Sequence, residues 1–170
     1  MGPRRINVGI IGCGEAAQVI HIPVLNQLYL LFKITFICSS SLDALDFVSQ
    51  RVLNHVPERT TDAAVLCASP DVDVVFVLSS DELHPRHTKL ALANHKHVFV
   101  EKPLAMSLFD AHDIVEAEKL SRGIVFVGYM RRYAAGFHDI HEEIKQLGNV
   151  LFARVRGMLY CDRRVSYLDR

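Results

Sequence analysis

A chain of 170 residues that is 50% hydrophobic is long enough for one full domain plus a short extension, and too apolar to be read as disordered. Nineteen basic residues balance nineteen acidic ones, and no basic run is dense enough to track phosphates, so nucleic acid is not an expected partner. The apolar run Val8 to Ile11 falls far short of the roughly 20 residues of a membrane span, which excludes a membrane protein and places the chain in the cytoplasm.

In chain order, short runs rich in Val, Ile and Phe alternate with stretches of helical spacing, the pattern of parallel strands joined by crossing helices. Ile6 to Ile11 reads as the first strand. The helix after it contains Pro23, which predicts a kink or an end near His21. Lys33 to Cys38 is the second strand, and Ser41 caps a helix with Leu42, Leu45, Val48 and Val52 on its apolar face. A third strand falls at Glu58 to Thr61, and Asp62 caps a short helix over Ala63 to Ala68. Val74 to Leu78, His97 to Val100 and Ile124 to Val127 complete six strands. A helix over His84 to Asn94 fits between the fourth and fifth. Ser107 to Asp110 resembles a capping box that opens a helix with Leu108, Ala111, Ile114 and Val115 on one face. Beyond them Phe137, Ile140, Ile144 and Leu147 form an amphipathic helix that stops at Gly148-Asn149, and Val150 to Val155 begins another strand. The expected fold is α/β, a Rossmann-type doubly wound parallel sheet, with residues 1–130 as a dinucleotide-binding domain and 131–170 as the start of a truncated C-terminal α+β substrate domain.

Gly12-Cys13-Gly14-Glu15-Ala16-Ala17 fits G-x-G-x-x-A, directly after a strand and opening a helix. Gly12 permits the tight turn, Gly14 leaves room for a pyrophosphate, Glu15 begins the helix, and Ala17 lets helix and strand pack closely. The free N–H groups of the helix start favour an anion. About 20 residues further on, where a carboxylate would hold a ribose 2'-hydroxyl, stand Ser39, Ser40 and Ser41. Three hydroxyls without an acid lean toward NADP over NAD, yet no arginine stands beside them, and the same serines could simply end a strand and cap a helix. Cys13, Cys38, Cys67 and Cys161 are too far apart for a zinc or redox pair and read as buried small side chains.

The stretch from Val75 to Ser107 contains Ser79-Ser80, Leu83-His84, His95-Lys96-His97-Val98 and Glu101-Lys102-Pro103-Leu104-Ala105. At these residues the chain resembles the glucose-fructose oxidoreductase / inositol dehydrogenase / MocA (Gfo/Idh/MocA) family, over about Ile6 to Arg156, with Val127 to Tyr133 resembling the segment before that family's second domain. The resemblance implies an oxidoreductase that moves hydride between NAD(P) and a carbonyl or secondary alcohol of a sugar, polyol or similar small molecule. It implies that Lys102 bonds to ribose and substrate hydroxyls and shares in proton transfer, helped by partial burial, with Glu101 orienting it and Pro103 following a cis bond. Ser79, Leu83 and Arg131 join the expected cofactor contacts. His84 lies by the same analogy near the nicotinamide, though a histidine capping a helix would look identical, and Arg131 and Arg132 could equally pair with surface acids.

The i, i+3 pairs His84/His87 and His138/His141 lack an accompanying glutamate pattern, so no metal is expected. The resemblance also implies a second domain that covers the nicotinamide and carries a D-x-x-x-H pair, and nothing of that kind follows Val155. Residues 156–170 have no clean period and four arginines, which reads as a truncated product with a foreign tail from near Gly157. An exposed strand there would invite self-association, so a homo-oligomer is among the expected assemblies. The rival to the enzyme is a dinucleotide-binding module without turnover.

Overall fold

The apolar runs pair into a single six-stranded sheet. Strands β1 (Ile6–Ile11), β2 (Phe32–Cys38), β3 (Glu58–Thr60), β4 (Val74–Val77), β5 (His97–Val100) and β6 (Val125–Val127) lie in the order β3-β2-β1-β4-β5-β6, and every neighbouring pair is parallel. Parallel neighbours require crossovers, which are supplied by α1 (Ile22–Gln27), α2 (Leu42–Ser49), α3 (Ala63–Ala68), α4 (His84–Ala93) and α5 (Leu108–Leu120). This is the doubly wound Rossmann-type order, reversing direction between β1 and β4. The computed structural model describes residues 4–152 and Arg154.

Side chains alternate across the sheet, so each strand feeds two layers of core. Val8 and Ile10 pack with Ile22, Leu25, Leu45 and Val48 from α1 and α2. Ile11, Val75 and Val77 pack with Leu66, Leu92 and Ile114 from α3, α4 and α5. Gly9 is small for a reason of packing, because a Cβ there would lie 2.8 Å from Leu66 Cδ2. In β2 the alternation slips. Val8 pairs with Ile34 but Gly9 pairs with Phe36, so Thr35 is an extra residue. Its buried hydroxyl donates to Asp71 O at 2.7 Å.

The caps are where the sequence predicts them. Ser41 accepts from Ala44 N–H at 3.2 Å, Asp62 from Ala64 N–H at 2.8 Å and Ser107 from Asp110 N–H at 3.1 Å. Each such cap stabilises its helix by about 1 kcal/mol. Ser107 Oγ also donates to Asp110 Oδ2 at 2.7 Å, so Asp110 meets the cap hydroxyl and not the Ser107 N–H of a full capping box.

Three local expectations need correction. Of the kink or end expected near His21, the end is corrected: residues 15 and 16 are helical and a π-helical turn, Ala17–His21, runs directly into α1 as the irregularity ahead of Pro23. Ile22 N–H bonds to Ala17 O, five residues back, a widened turn just ahead of Pro23, which has no N–H to give. Helix α2 stops at Ser49, so Val52 enters the core from the segment after it. In α5, Leu108 is 81% exposed and Ile114 alone is fully buried, since the helix meets the sheet beyond its first turn.

Residues up to Gly128 form one compact unit and those from Tyr129 a second. The second contains a 3-10 turn, Met130–Tyr133, and α6 (Ala135–Gln146), followed by Gly148 at φ +67°. The apolar stripe of α6 is exposed throughout. Val150, Leu151, Phe152 and Arg154 are not in a strand, and the remainder of the strand expected there lies outside the described residues, as do Cys161 and the tail from Gly157.

Candidate active site

Where β1 ends, the chain must turn sharply beneath the segment that leaves β4. Gly12 makes the turn at φ +102°, and its N–H donates to Cys38 O at 2.8 Å. A Cβ on Gly12 would lie 2.5 Å from Leu78 C and O and 2.6 Å from Ser79 N. Gly12 is therefore demanded by the crossing of two backbones. Gly14 is different. It is exposed, and a Cβ there would meet nothing within 4 Å. Helical residues begin at Glu15, Gln18 N–H bonds back to Gly14 O at 3.1 Å, and no side chain caps this end. The first N–H groups of a helix have no intrahelical acceptor, so open space beside Gly14 faces a partial positive charge. Ala17 is fully buried against the sheet. These features fit a pyrophosphate at the switch point of the sheet, where a Cβ at residue 14 would intrude.

Cys13, between the two glycines, is buried, and burial, with Cys38 as a smaller cause, pushes its thiol up to about 12. Cys38 and Cys67 are also buried and free, their thiols pushed by burial to about 11 and about 12. All three are protonated small apolar groups at neutral pH.

At the end of β2, Ser39 N–H donates to Thr60 O at 3.2 Å and Ser39 Oγ accepts from Ser41 N–H at 3.3 Å. Ser40 is exposed and its hydroxyl has no partner among the described residues. Ser39 and Ser41 thus shape the turn and cap α2, with hydroxyl protons left to donate.

On the other side of the switch point, β5 delivers Glu101-Lys102-Pro103. The Lys102-Pro103 bond is cis. Lys102 is exposed, contrary to the partial burial expected of it, and its Nζ has no partner among the described residues. Glu101 holds the lysine by its backbone, Oε2 accepting Lys102 N–H at 3.1 Å, while Glu101 N–H donates to Val77 O at 3.0 Å. The other carboxylate oxygen lies 2.8 Å from His21 Nε2, with the two side chains only 11% and 18% exposed.

His84 begins α4 and is 1% exposed. Its Nδ1 lies 2.7 Å from Pro103 O and its Nε2 2.9 Å from Ser79 O, so the ring is wedged between the cis-proline segment and the end of β4 and donates to a carbonyl from whichever nitrogen carries a proton. Ser79 Oγ meets His87 Nδ1 at 2.9 Å. Burial first, then Arg86 and His84, holds His87 below the usual imidazole range. Leu83 closes the 3-10 turn Asp81–Leu83 and is part-exposed.

The structure therefore brings Gly12, Gly14, Glu15, Ala17, Ser39, Ser40, Ser79, Leu83, His84, Glu101 and Lys102 to the C-terminal end of one sheet. Arg131 and Arg132 are exposed on the 3-10 turn of the second unit. Among the described residues no group of three or more His, Cys, Asp or Glu could hold a metal ion, and no helix is long and apolar enough to cross a membrane. Sequence reasoning missed His21 as a member of this cluster. Its only local signal is Pro23, placed two residues later inside a helix.

Residues 6–129 match a family model described as an oxidoreductase family with an NAD-binding Rossmann fold. An inositol 2-dehydrogenase of Saccharopolyspora erythraea is 37% identical over 140 residues, which are 81% of this chain and 40% of that protein. A 1,5-anhydro-D-fructose reductase of Ensifer adhaerens is 34% identical over 63% of this chain and 33% of its own length. The crystal structure of an oxidoreductase from Thermotoga maritima superposes with a TM-score of 0.79 at 29% identity, covering 84% of this chain and 44% of that one. The chain thus spans less than half the length of these relatives.

Proposed function

The chain belongs to the Gfo/Idh/MocA oxidoreductase family, and we propose on that footing that it binds NAD(P) across the β1–β4 switch point and serves oxidation or reduction of a small polyol or sugar. The observation that carries this reading is the open cradle at Gly14, next to an uncapped helix start, on the same sheet end as Lys102. When bound, the nicotinamide supplies the site for hydride exchange. Gly14 and the helix beginning at Glu15 hold the pyrophosphate through backbone N–H groups. Ser39 and Ser40 donate hydroxyl protons to the adenosine ribose, and the missing carboxylate there favours a 2'-phosphate, hence NADPH over NADH.

Lys102 extends an unpaired ammonium from the end of β5, where it donates to ribose and substrate hydroxyls and moves a proton at the substrate oxygen. His84 sits beneath this surface with both ring nitrogens on backbone carbonyls, so its part is to hold Pro103, and through it Lys102, in place. Inositols and other polyols are the substrate class to screen, because the relatives at 37% and 34% identity bear the names of an inositol dehydrogenase and an anhydrofructose reductase.

Calorimetric titration of the folded chain with NADPH, NADH and ADP-ribose tests the binding. Association is expected with all three, tightest for NADPH, and no heat with any of them overturns the reading. Lys102→Ala is expected to leave the melting temperature and ADP affinity unchanged while removing polyol-dependent turnover. A Lys102→Ala protein that fails to fold would make the lysine structural instead.

A further inference from the structure

His21 is the buried polar group that the reading above leaves without a task. It closes the π-helical turn Ala17–His21, two residues before Pro23, and is 9% exposed. Its ring stands edge-on to Phe76 and Phe99, with centroids 5.8 and 5.1 Å away, and those two rings stack on one another at 4.7 Å. From this apolar bed Nε2 reaches Glu101 Oε1 at 2.8 Å. An ionised carboxylate only accepts hydrogen bonds, so the imidazole donates. The second oxygen of the same carboxylate accepts Lys102 N–H. A continuous line of contacts therefore runs from the first helix through imidazole and carboxylate to the peptide of the lysine. Lys102 Nζ has no partner of its own among the described residues, so the direction of its side chain depends on how that peptide is held.

We propose that His21 is a positioning residue for Lys102, acting through Glu101 to aim the ammonium at the nicotinamide half of the coenzyme. This rests on the reading of the site given above. Widened turns of this kind recur where a helix must present a side chain at a functional position. The residues involved are 80 positions apart in sequence and meet only because β1 and β4 lie side by side with β5 next in the sheet.

The test compares each coenzyme with the part of it that ends at the pyrophosphate: NADPH with 2'-phospho-ADP, and NADH with ADP. NADPH, or NADH if it binds tighter, and its ADP counterpart are titrated into the wild type, His21→Leu and His21→Gln, with melting temperatures and the Lys102 amide signal in 15N–1H spectra recorded in parallel. Loss of a hydrogen bond to a charged group predicts that His21→Leu weakens the dinucleotide by about tenfold, leaves the affinity for its ADP counterpart unchanged and shifts the Lys102 amide. His21→Gln, which keeps a donor toward Glu101, restores most of the affinity. If His21→Leu fails to fold, Glu101→Gln breaks the double acceptance without removing bulk and must give the same selective loss. A variant that weakens both ligands equally, or neither, overturns the positioning role while leaving the coenzyme site standing. A wild type that binds neither ligand overturns the site itself and this inference with it.

Discussion

Replacing Gly12 and Gly14 by alanine, one at a time, separates a glycine required by the fold from one required by the ligand. At Gly12 the methyl meets Leu78 C and O at 2.5 Å and Ser79 N at 2.6 Å, all backbone atoms that no side-chain rotation relieves, and the residue must also hold φ +102°. Strain at such a φ costs about 1–3 kcal/mol, and forcing a methyl into a filled space adds about 1–3 kcal/mol. A total of about 2–6 kcal/mol takes a large share of the roughly 5–15 kcal/mol that holds a domain together. At about 2–4 °C per kcal/mol for a chain of this size, the melting temperature falls by about 5 °C or more. Gly14→Ala meets nothing within 4 Å and needs no positive φ, so stability changes by no more than about 0.5 kcal/mol. Under the proposed reading of the site its methyl stands where the pyrophosphate approaches, and a misfit of about 1–3 kcal/mol would weaken coenzyme binding by about tenfold or more. Urea denaturation and calorimetry on the two variants give the four numbers required. A Gly14→Ala protein that binds NADPH as the wild type does, or a Gly12→Ala protein of unchanged stability, refutes this division of labour.

Two further outcomes follow from the titrating groups. Cys13, Cys38 and Cys67 bind protons more tightly folded than unfolded, so their contribution to stability is complete below about pH 9 and is lost as pH rises toward 11–12. In native buffer at pH 8 a thiol reagent should modify these three far more slowly than in denaturant, and rapid native labelling of any of them, located by mass spectrometry, counters the burial argument. His87 runs the other way. Its folded pKa lies below 6.5, so its contribution is complete above about pH 6.5 and is lost as pH falls through that value toward the folded pKa. His87→Gln should flatten the acid side of a stability curve, and an unchanged curve shows that the histidine carries no such linkage.

Apolar runs made five of the six strands legible, because strands covered on both faces are rich in Val, Ile and Phe, whereas the edge strand β3, Glu58–Thr60, is polar and largely exposed. Three caps were legible as well, since capping depends on neighbours two or three residues away. What stayed hidden depends on distant backbone. The part of Gly12 that concerns Leu78 and Ser79 could not be read from G-x-G, which accounts for a tight turn equally well. His84 was readable as a chemical group, but the two carbonyls that occupy its ring nitrogens belong to Ser79 and Pro103 and only the fold places them. Pro23 signalled an irregular helix, but neither the widened turn that results nor the contact of His21 with Glu101, 80 residues on, could be read from it.

The extra residue in β2 insulates the mouth of the site from what lies upstream. Because Val8 pairs with Ile34 and Gly9 with Phe36, excising Thr35 would leave a regular strand in which Phe36, Ile37 and Cys38 keep their layers and the serines after them keep their places. The hydroxyl bonds of Thr35 to the Asp71 and Val8 carbonyls would be undone. One residue can thus be removed at this point without turning over the end of the strand that leads to Ser39 and Ser40.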